Sequence, residues 1–409
     1  MNKDRVFSIL PQLPQPVWIL AAGRLLSQIG IGFTLFYAPI FFVNQVGLSA
    51  TQVGLGLGSS AFSGILGRFL AGNFTDSPQW GRRRTLLLSA LVSAFADVIL
   101  ALIVDFPTLV LGNLLMGLGI GLYWPATETV VADVTQLDQR NEAFALARLA
   151  DNLGLGCGVL LGGLLIEAGV NFRWLFVMDG ISFLLFFALI YTAIDETRPQ
   201  NHKPRPQHGS NWGVALGDRQ LQKFVIVNLL FTTYLSQQQS TLPLYLSNFL
   251  ASGGFSPAII SSLFTGQIAF LALCQLPIAR RLNRWSRSQS LMLSLSVWSA
   301  SFVLVWIAGG VNQEALFWAI SALVGMAVAT AIYTPSASAL VVDLAPEDLR
   351  GTYLAINAQC WAIGYLIGPP LGGWVLDQSR IIIDGFWLAI AFSTLLGIQI
   401  LRSLEGTSR

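Results

Sequence analysis

The sequence predicts an all-α membrane protein made of two six-helix bundles of related sequence. Hydrophobic residues make up 54% of the 409 residues and charged residues only 11%, a composition typical of membrane proteins. Apolar runs of about 20 residues, enough to cross a hydrocarbon layer about 30 Å thick, recur along the chain. The segment from Tyr123 to Gly163 aligns without a gap with the segment from Tyr333 to Gly373. Because a proline, several glycines and charged residues recur at matching positions, this alignment indicates an internal duplication.

We expect twelve spanning helices, six in each copy, with boundaries uncertain by about three residues. They cover residues 17–43, 51–74, 85–104, 107–130, 142–166, 174–194, 221–247, 257–279, 288–308, 314–337, 350–376 and 382–402. The predicted bundles occupy residues 1–194 and 221–409, and residues 195–220 form a polar, proline-containing linker between them. The linker holds the only two histidines, which are more often solvated than metal-bound in such a segment, so no metal site is predicted.

The distribution of charge predicts the orientation. Most of the 23 Lys and Arg residues lie on one side of the predicted spans, which places both termini in the cytoplasm by the positive-inside rule. The basic clusters are therefore interpreted as contacts to lipid headgroups and not to nucleic acid. We expect a multi-pass, monomeric protein of the cell inner (plasma) membrane.

The loop after the second span combines glycines, an acid and a run of arginines. It resembles the loop of the major facilitator superfamily between the second and third spans, although Ser77 to Trp80 make the turn about two residues longer. The resemblance implies two pseudo-symmetric bundles and a latch that holds the cytoplasmic side closed. Asp133, at the end of the fourth span, can pair with the arginines, and its copy Asp343 recurs. The predicted latch consists of Gly72, Asp76, Gly81, Arg82, Arg83, Arg84, Asp133 and Arg140.

Glycines also mark the fifth span. Gly154, Gly158 and Gly162, followed by Gly163, lie four residues apart on one helical face, which lets a neighbouring backbone approach closely. This pattern resembles the glycine-rich antiporter motif of the superfamily, with Val159 in place of its usual proline. The resemblance favours antiport.

Charged residues inside the first copy predict the coupling site. Arg24 of the first span and Asp151 of the fifth lie at similar depth, and these two spans are neighbours in the superfamily, so we expect them to pair. Alternatively, Asp151 pairs only with Arg148, three residues away, and Arg24 extends to the membrane surface. The residues predicted to couple protons are Asp151, Arg24, Arg148 and Glu128. Two further intramembrane acids, Asp97 and Asp179, are expected to be structural, with Asp97 paired to Arg68.

A substrate cavity is expected near the midplane between the two copies. The second copy has no charged residue inside its spans, so its wall would be made of amides, hydroxyls and aromatic rings. Exporters of the superfamily usually carry an arginine where Asn113 lies in this chain. The predicted cavity residues are Gln28, Asn113, Trp124, Asn228, Thr232, Gln239, Asn357, Trp361 and Tyr365.

These patterns favour a proton-driven exporter of amphipathic drug-like or metabolite compounds, similar to the 12-span multidrug exporters of the superfamily, with a small molecule, protons and lipids as partners. A facilitator or importer of a small polar solute, such as a sugar or organic acid, is a second hypothesis. A sensor or lipid-handling protein that has lost transport is a third. No nucleophile with its base, phosphate-binding loop or set of metal ligands is apparent, so neither an enzyme nor a cofactor is expected.

Overall fold

The computed structural model describes residues 13–136, 139–197, 211–282, 285–346 and 349–405. Its helices are α1 (Gln15–Leu35), α2 (Ala38–Asn44), α3 (Ala50–Asp76), α4 (Gly81–Ala101), α5 (Phe106–Val134), α6 (Arg140–Glu167), α7 (Arg173–Ala193), α8 (Asn211–Gly217), α9 (Arg219–Asn248), α10 (Pro257–Leu282), α11 (Arg287–Gly310), α12 (Ala315–Leu344), α13 (Arg350–Leu376) and α14 (Arg380–Glu405). The predicted all-α architecture is confirmed.

Ten candidate spans in the described residues are long and apolar enough to cross a membrane, the first being α1 and α2 together. Helices α9 and α13 are of similar length, with 30 and 27 residues, but they are less apolar because they contain amide and hydroxyl side chains. Together these helices give six spans before α8 and six after it. The assignment of residues 195–220 as a linker stays a prediction, because residues 198–210, with both histidines, lie outside the described residues.

The two halves repeat the same set of helix contacts. In the first half α1 packs on α6 and α7, α3 on α5, and α4 on α5 and α7. In the second half α9 packs on α13 and α14, α10 on α12, and α11 on α12 and α14. The duplication that the sequence shows is therefore also a duplication of packing.

Short polar residues determine where several spans begin. The side chains of Ser49, Asp105 and Ser286 accept hydrogen bonds from backbone N–H groups in the first turns of α3, α5 and α11. In each case the residue three positions later bonds back to the capping residue. These capping boxes satisfy N–H groups that a helix leaves without partners at its start.

The halves meet at one face of the molecule. We call the face on which α1 begins and α7 ends the terminal face, and the other the sealed face. At the sealed face α3 packs on α13 and α6 on α10. The rings of Phe36 and Phe264 stack there with centroids 4.2 Å apart. The Ser261 hydroxyl donates to the Val159 carbonyl at 3.0 Å. These contacts close the sealed face between the halves.

Asp377, just after α13, extends this closure by capping α3 of the other half. Its carboxylate accepts from the backbone N–H groups of Ala50 at 3.0 Å and Thr51 at 2.7 Å, and from the Thr51 hydroxyl at 2.5 Å. Partial burial raises the pKa of Asp377, but these hydrogen bonds outweigh it, so the pKa lies below its ordinary value. A carboxylate whose pKa is lowered becomes protonated, and loses these hydrogen bonds, only at a pH below the range in which aspartate ordinarily titrates. The contact is therefore present at neutral pH.

Gly54 permits the close approach of α3 to α13. A Cβ atom at this position would collide with the Pro369 carbonyl oxygen, whereas a Cβ at Gly72 of the same helix would meet nothing within 4 Å. We therefore expect Gly54→Ala to separate the halves at the sealed face and Gly72→Ala to leave them in place. Spin labels on cysteines introduced at Gln45 and Ser252 measure this separation. Equal label distances in the two variants would contradict the assignment of Gly54 to the closure.

Candidate functional site

A buried ion pair joins α1 to α6 in the interior of the first half. Arg24 Nε donates to Asp151 Oδ1 at 2.9 Å, and Arg24 Nη2 lies 2.5 Å from Asp151 Oδ2. Arg24 is 2% exposed and Asp151 is 8% exposed. Asp151 lies eleven residues into α6, about 16 Å along the helix axis. The pairing expected from the depth of the two residues is present, with bidentate geometry.

Small residues let α1 and α6 come close enough for this pair. A Cβ atom at Gly154 would collide with the Leu25 carbonyl oxygen, and one at Gly158 with the Ile29 carbonyl oxygen. A Cβ at Gly162 would lie 3.1 Å from the Tyr37 ring. Gly163 faces both Tyr37 and Ser261 of the other half. The glycines predicted to admit a neighbouring backbone do so, and that backbone belongs to α1.

Trp124 of α5 connects the buried pair to a second, exposed pair. The Arg24 guanidinium lies 5.0 Å from the centroid of the Trp124 ring, and the Arg148 guanidinium lies 5.4 Å from it. Arg148 Nη2 in turn lies 3.6 Å from Glu128 Oε1. These two side chains are 63% and 48% exposed, which indicates that the halves are apart at the terminal face. The alternative in which Asp151 pairs only with Arg148 is wrong, because Asp151 pairs with Arg24 and Arg148 pairs with Glu128.

The second half presents an aromatic ladder, which we define as Tyr333, Trp361 and Tyr365. The Tyr333 and Trp361 rings are 6.2 Å apart, and Trp361 stacks on Tyr365 at 6.3 Å. The Tyr365 hydroxyl donates to Gln239 Oε1 at 2.8 Å. Trp361, Tyr365 and Gln239 are each partly exposed, so they can contact a solute between the halves.

Several residues predicted to line the cavity are instead used in packing. Asn228 is 1% exposed, donates to Asn357 and accepts from the Tyr333 hydroxyl. Thr232 is fully buried and donates to the Cys360 carbonyl. In this conformation both side chains hold α9 against its neighbours, because their polar groups find partners within the second half. Asn228 and Thr232 are therefore withdrawn from the cavity, whereas Gln239 and Asn357 remain partly exposed.

Two predicted cavity residues of the first half are also buried. Asn113 is 5% exposed and donates to the Leu109 carbonyl one turn earlier on its own helix. Gln28 is 7% exposed and faces Gly154 across the α1 and α6 contact. Neither side chain therefore lies on an open surface in this conformation.

The predicted latch is assembled in part. Arg82 Nε donates to Asp133 Oδ2 at 3.0 Å, and Arg82 Nη1 donates to the Thr75 carbonyl at 2.6 Å. The second half has a looser counterpart, in which Arg287 Nε lies 3.6 Å from Asp343 Oδ2. Both contacts lie within a single half, so they brace each half at the terminal face while the halves are apart there.

The other latch residues have different partners. Arg83 donates to the Tyr191 carbonyl and Arg84 to the Gln79 carbonyl, both at 2.5 Å. Gly81, with φ +79°, packs against Glu196, which accepts from the backbone N–H groups of Arg82 and Arg83. Sequence reasoning missed Glu196, which follows α7 and has no periodic signal. Gly72 lies in the last turns of α3, where a Cβ atom would meet nothing within 4 Å. The side chains of Asp76 and Arg140 lie outside the described residues.

The expected pair between Asp97 and Arg68 is wrong. Asp97 is buried at 1% exposure, and its carboxylate oxygens have no hydrogen-bond partner among the described residues. Arg68 instead lies within electrostatic range of Glu128 on α5. The backbone of α3 at Gly67 and Arg68 packs against Gly121 of α5, and this rotation of α3 could not be predicted from residue spacing.

Comparisons with known proteins agree with this architecture. A family model described as the Major Facilitator Superfamily matches residues 20–253 and 229–407. The chain is 22% identical over 398 residues to the uncharacterized MFS-type transporter YhjO of Bacillus subtilis (strain 168), covering 97% of this chain and 95% of YhjO. It is 24% identical over 369 residues to the multidrug resistance protein MdtH of Salmonella arizonae, covering 89% and 86% of the two chains.

Solved structures show the same fold. The nucleoside transporter NupG aligns with a TM-score of 0.79 at 13% identity, covering 96% of this chain and 99% of NupG. A mutant of the peptide transporter POT in complex with alafosfalin aligns with a TM-score of 0.79 at 16% identity, covering 100% and 98%. At these identities the likeness concerns the fold alone.

Proposed function

The chain belongs to the major facilitator superfamily and is a multi-pass secondary transporter, and we propose that it exports amphipathic compounds in exchange for protons. The observation that carries the proposal is the buried Arg24–Asp151 pair beside a partly exposed aromatic surface. A charge in a membrane interior is costly and marks ion pathways when it lies in a bundle. Asp151 is an acid in that position, and its charge can be removed by a proton.

Alternating access supplies the movement. The halves are closed at the sealed face and apart at the terminal face, so a solute reaches the middle of the molecule from the terminal face. In transporters built from two repeats, rocking of one half against the other exposes the same site to the opposite side. The contacts of Gly54 and Asp377 at the sealed face must break in that movement.

The two walls of the site have different chemistry. The first half contributes two ion pairs that share Trp124, and the second half contributes the aromatic ladder without charge. Aromatic surfaces bind apolar bulk and organic cations, and an acid can hold a positive charge or a proton. We infer that a proton and an amphipathic substrate compete for Asp151, which couples their opposite movements.

Orientation and relatives support the direction of transport. The basic residues concentrate at the terminal face, and by the positive-inside rule this supports a cytoplasmic position for that face. The structure then receives substrate from inside the cell. The similarity to MdtH, whose name describes a multidrug resistance protein, favours export of drug-like compounds.

Proton-loaded vesicles containing the purified protein test this function. A library of amphipathic compounds is added to vesicles that hold a pH gradient and a pH-sensitive dye. We expect a subset of compounds to dissipate the gradient faster than in vesicles without protein. If labelled sugars or organic acids are taken up at a rate that does not depend on the pH gradient, a facilitator would be favoured instead. A protein that moves no solute and copurifies with lipid would favour a lipid-handling role.

A further inference from the structure

Two acids lie buried in the first half, apart from the proposed coupling pair. Asp97 of α4 and Asp179 of α7 are each 1% exposed. A Cβ atom at Gly180, next to Asp179, would lie 3.3 Å from the Asp97 Cβ, and the two acids are close enough to interact electrostatically. The two carboxyl groups therefore share one small region between α1, α4 and α7.

This region lacks the partners that buried acids normally have. Both carboxylate oxygens of Asp97 are without a hydrogen bond. Asp179 is contacted by the hydroxyls of Thr34 at 3.3 Å and Ser182 at 3.5 Å. Neither acid forms an ion pair with a basic side chain in the part of the chain that the structure describes. Burying a carboxylate without a counter-charge or hydrogen bonds costs several kcal/mol per charge. The positive charge that neutralises these acids must therefore come from solution.

The donors and their spacing suit a metal cation. Carboxylates and hydroxyls offer up to six oxygen atoms and no nitrogen or sulfur, the set that hard cations prefer. The hydroxyl-to-carboxylate distances of 3.3 and 3.5 Å exceed the usual 2.5–3.0 Å of such hydrogen bonds. Ligands at right angles around an ion, each about 2.3–2.6 Å from it, are themselves about 3.3–3.7 Å apart.

Gly30 of α1 keeps this region open. A Cβ atom at Gly30 would collide with Asp179 Oδ1 and Ser182 Oγ. Any other residue would therefore push the oxygen atoms away from α1 and from Thr34, which lies one turn further along the same helix.

We propose that Asp97, Asp179, Thr34 and Ser182 form a binding site for a hard metal cation, distinct from the Arg24–Asp151 pair. Two carboxylates are neutralised either by one divalent ion, such as Ca²⁺, or by Na⁺ together with one proton. The ion ties α1 to α4 and α7 near the sealed face. Asp179 lies six residues into α7, about 9 Å from its start, so the ion enters from that side.

Ion-dependent thermal unfolding of the purified full-length protein tests the proposal. The protein is treated with a chelator, kept in choline chloride at constant ionic strength, and titrated with NaCl or with CaCl₂. We expect one of the two salts to raise the unfolding temperature by roughly 3 °C or more. Retention of radioactive sodium or calcium by the protein identifies which ion is bound.

Variants assign the effect to this site. Asp97→Asn and Ser182→Ala are expected to abolish the shift, while Asp105→Asn, a substitution of an exposed acid at the start of α5, keeps it. Thr34→Val replaces Asp97→Asn as the test if the latter does not fold. Absence of a shift and of bound ion with both salts would overturn the proposal and leave the acids to share a proton. A shift that survives in the site variants would overturn it as well, because the ion then binds elsewhere.

Discussion

Replacing Arg24 with alanine is expected to lower the free energy of unfolding by about 3–5 kcal/mol. The reason is that Asp151, 8% exposed, would keep a buried charge after losing its bidentate partner. The double substitution Arg24→Ala with Asp151→Asn is expected to recover much of this loss, because no buried charge is left. Chemical denaturation in mixed micelles measures both effects.

Arg148→Ala is the matched control for this prediction. Arg148 also pairs with an acid and contacts Trp124, but its side chain is 63% exposed. Solvent screens such a pair, so its loss is expected to cost only about 0.2–1 kcal/mol. Equal destabilisation by the two single substitutions, or no recovery in the double variant, would contradict the description of Arg24–Asp151 as the buried pair on which the first half depends.

Asp151→Asn is expected to uncouple transport from protons without removing the substrate site. Asparagine has nearly the shape of aspartate but cannot take up or release the proton. With one-to-one exchange, a pH gradient of one unit, about 1.4 kcal/mol per proton, sustains a substrate gradient of about tenfold, and in this variant the substrate gradient should fall to equilibrium. Exchange of labelled for unlabelled substrate should persist. Both are measured in vesicles with a compound found by the library assay.

Glu167→Gln provides the control for charge removal. Glu167 lies at the exposed end of the same helix, far along α6 from the pair, and its replacement should leave coupled transport unchanged. If the Asp151→Asn variant still accumulates substrate in response to a pH gradient, the proton site lies elsewhere in the molecule and the assignment to Asp151 is wrong.

The fold and the central pair could be predicted from sequence for physical reasons that are easy to name. The hydrophobic runs predicted the spans, and the ungapped alignment of Tyr123–Gly163 with Tyr333–Gly373 predicted the division into two halves. The pairing of Arg24 with Asp151 was predicted from their similar depth along their helices and from the neighbouring positions of the first and fifth spans that the resemblance to the superfamily implies. Depth is a one-dimensional property that a sequence displays directly, whereas the adjacency of the two spans came from the resemblance.

The other features of the site could not be predicted, because they depend on helix rotation and on contacts between loops. Periodicity placed Asn228 and Thr232 on one face of α9 but could not tell that this face packs on α12 and α13. Gly364 leaves room for Thr232 on the facing helix, which is visible only once the helices are paired. Asp377 and Glu196 lie in segments next to helix ends and accept hydrogen bonds from backbone N–H groups of other helices. No periodic pattern in the sequence predicts such partners.

Proton release by the purified protein on binding a transported compound tests the central claim most directly. The claim is that a proton on Asp151 is exchanged for substrate in the first half. The measurement uses weakly buffered detergent solution at several starting pH values, because the Arg24–Asp151 ion pair itself carries no proton to release, and it compares the wild-type protein with Asp151→Asn at saturating compound. We predict that the wild-type protein releases protons and that Asp151→Asn binds the compound without releasing them. Equal release by both proteins would contradict the account.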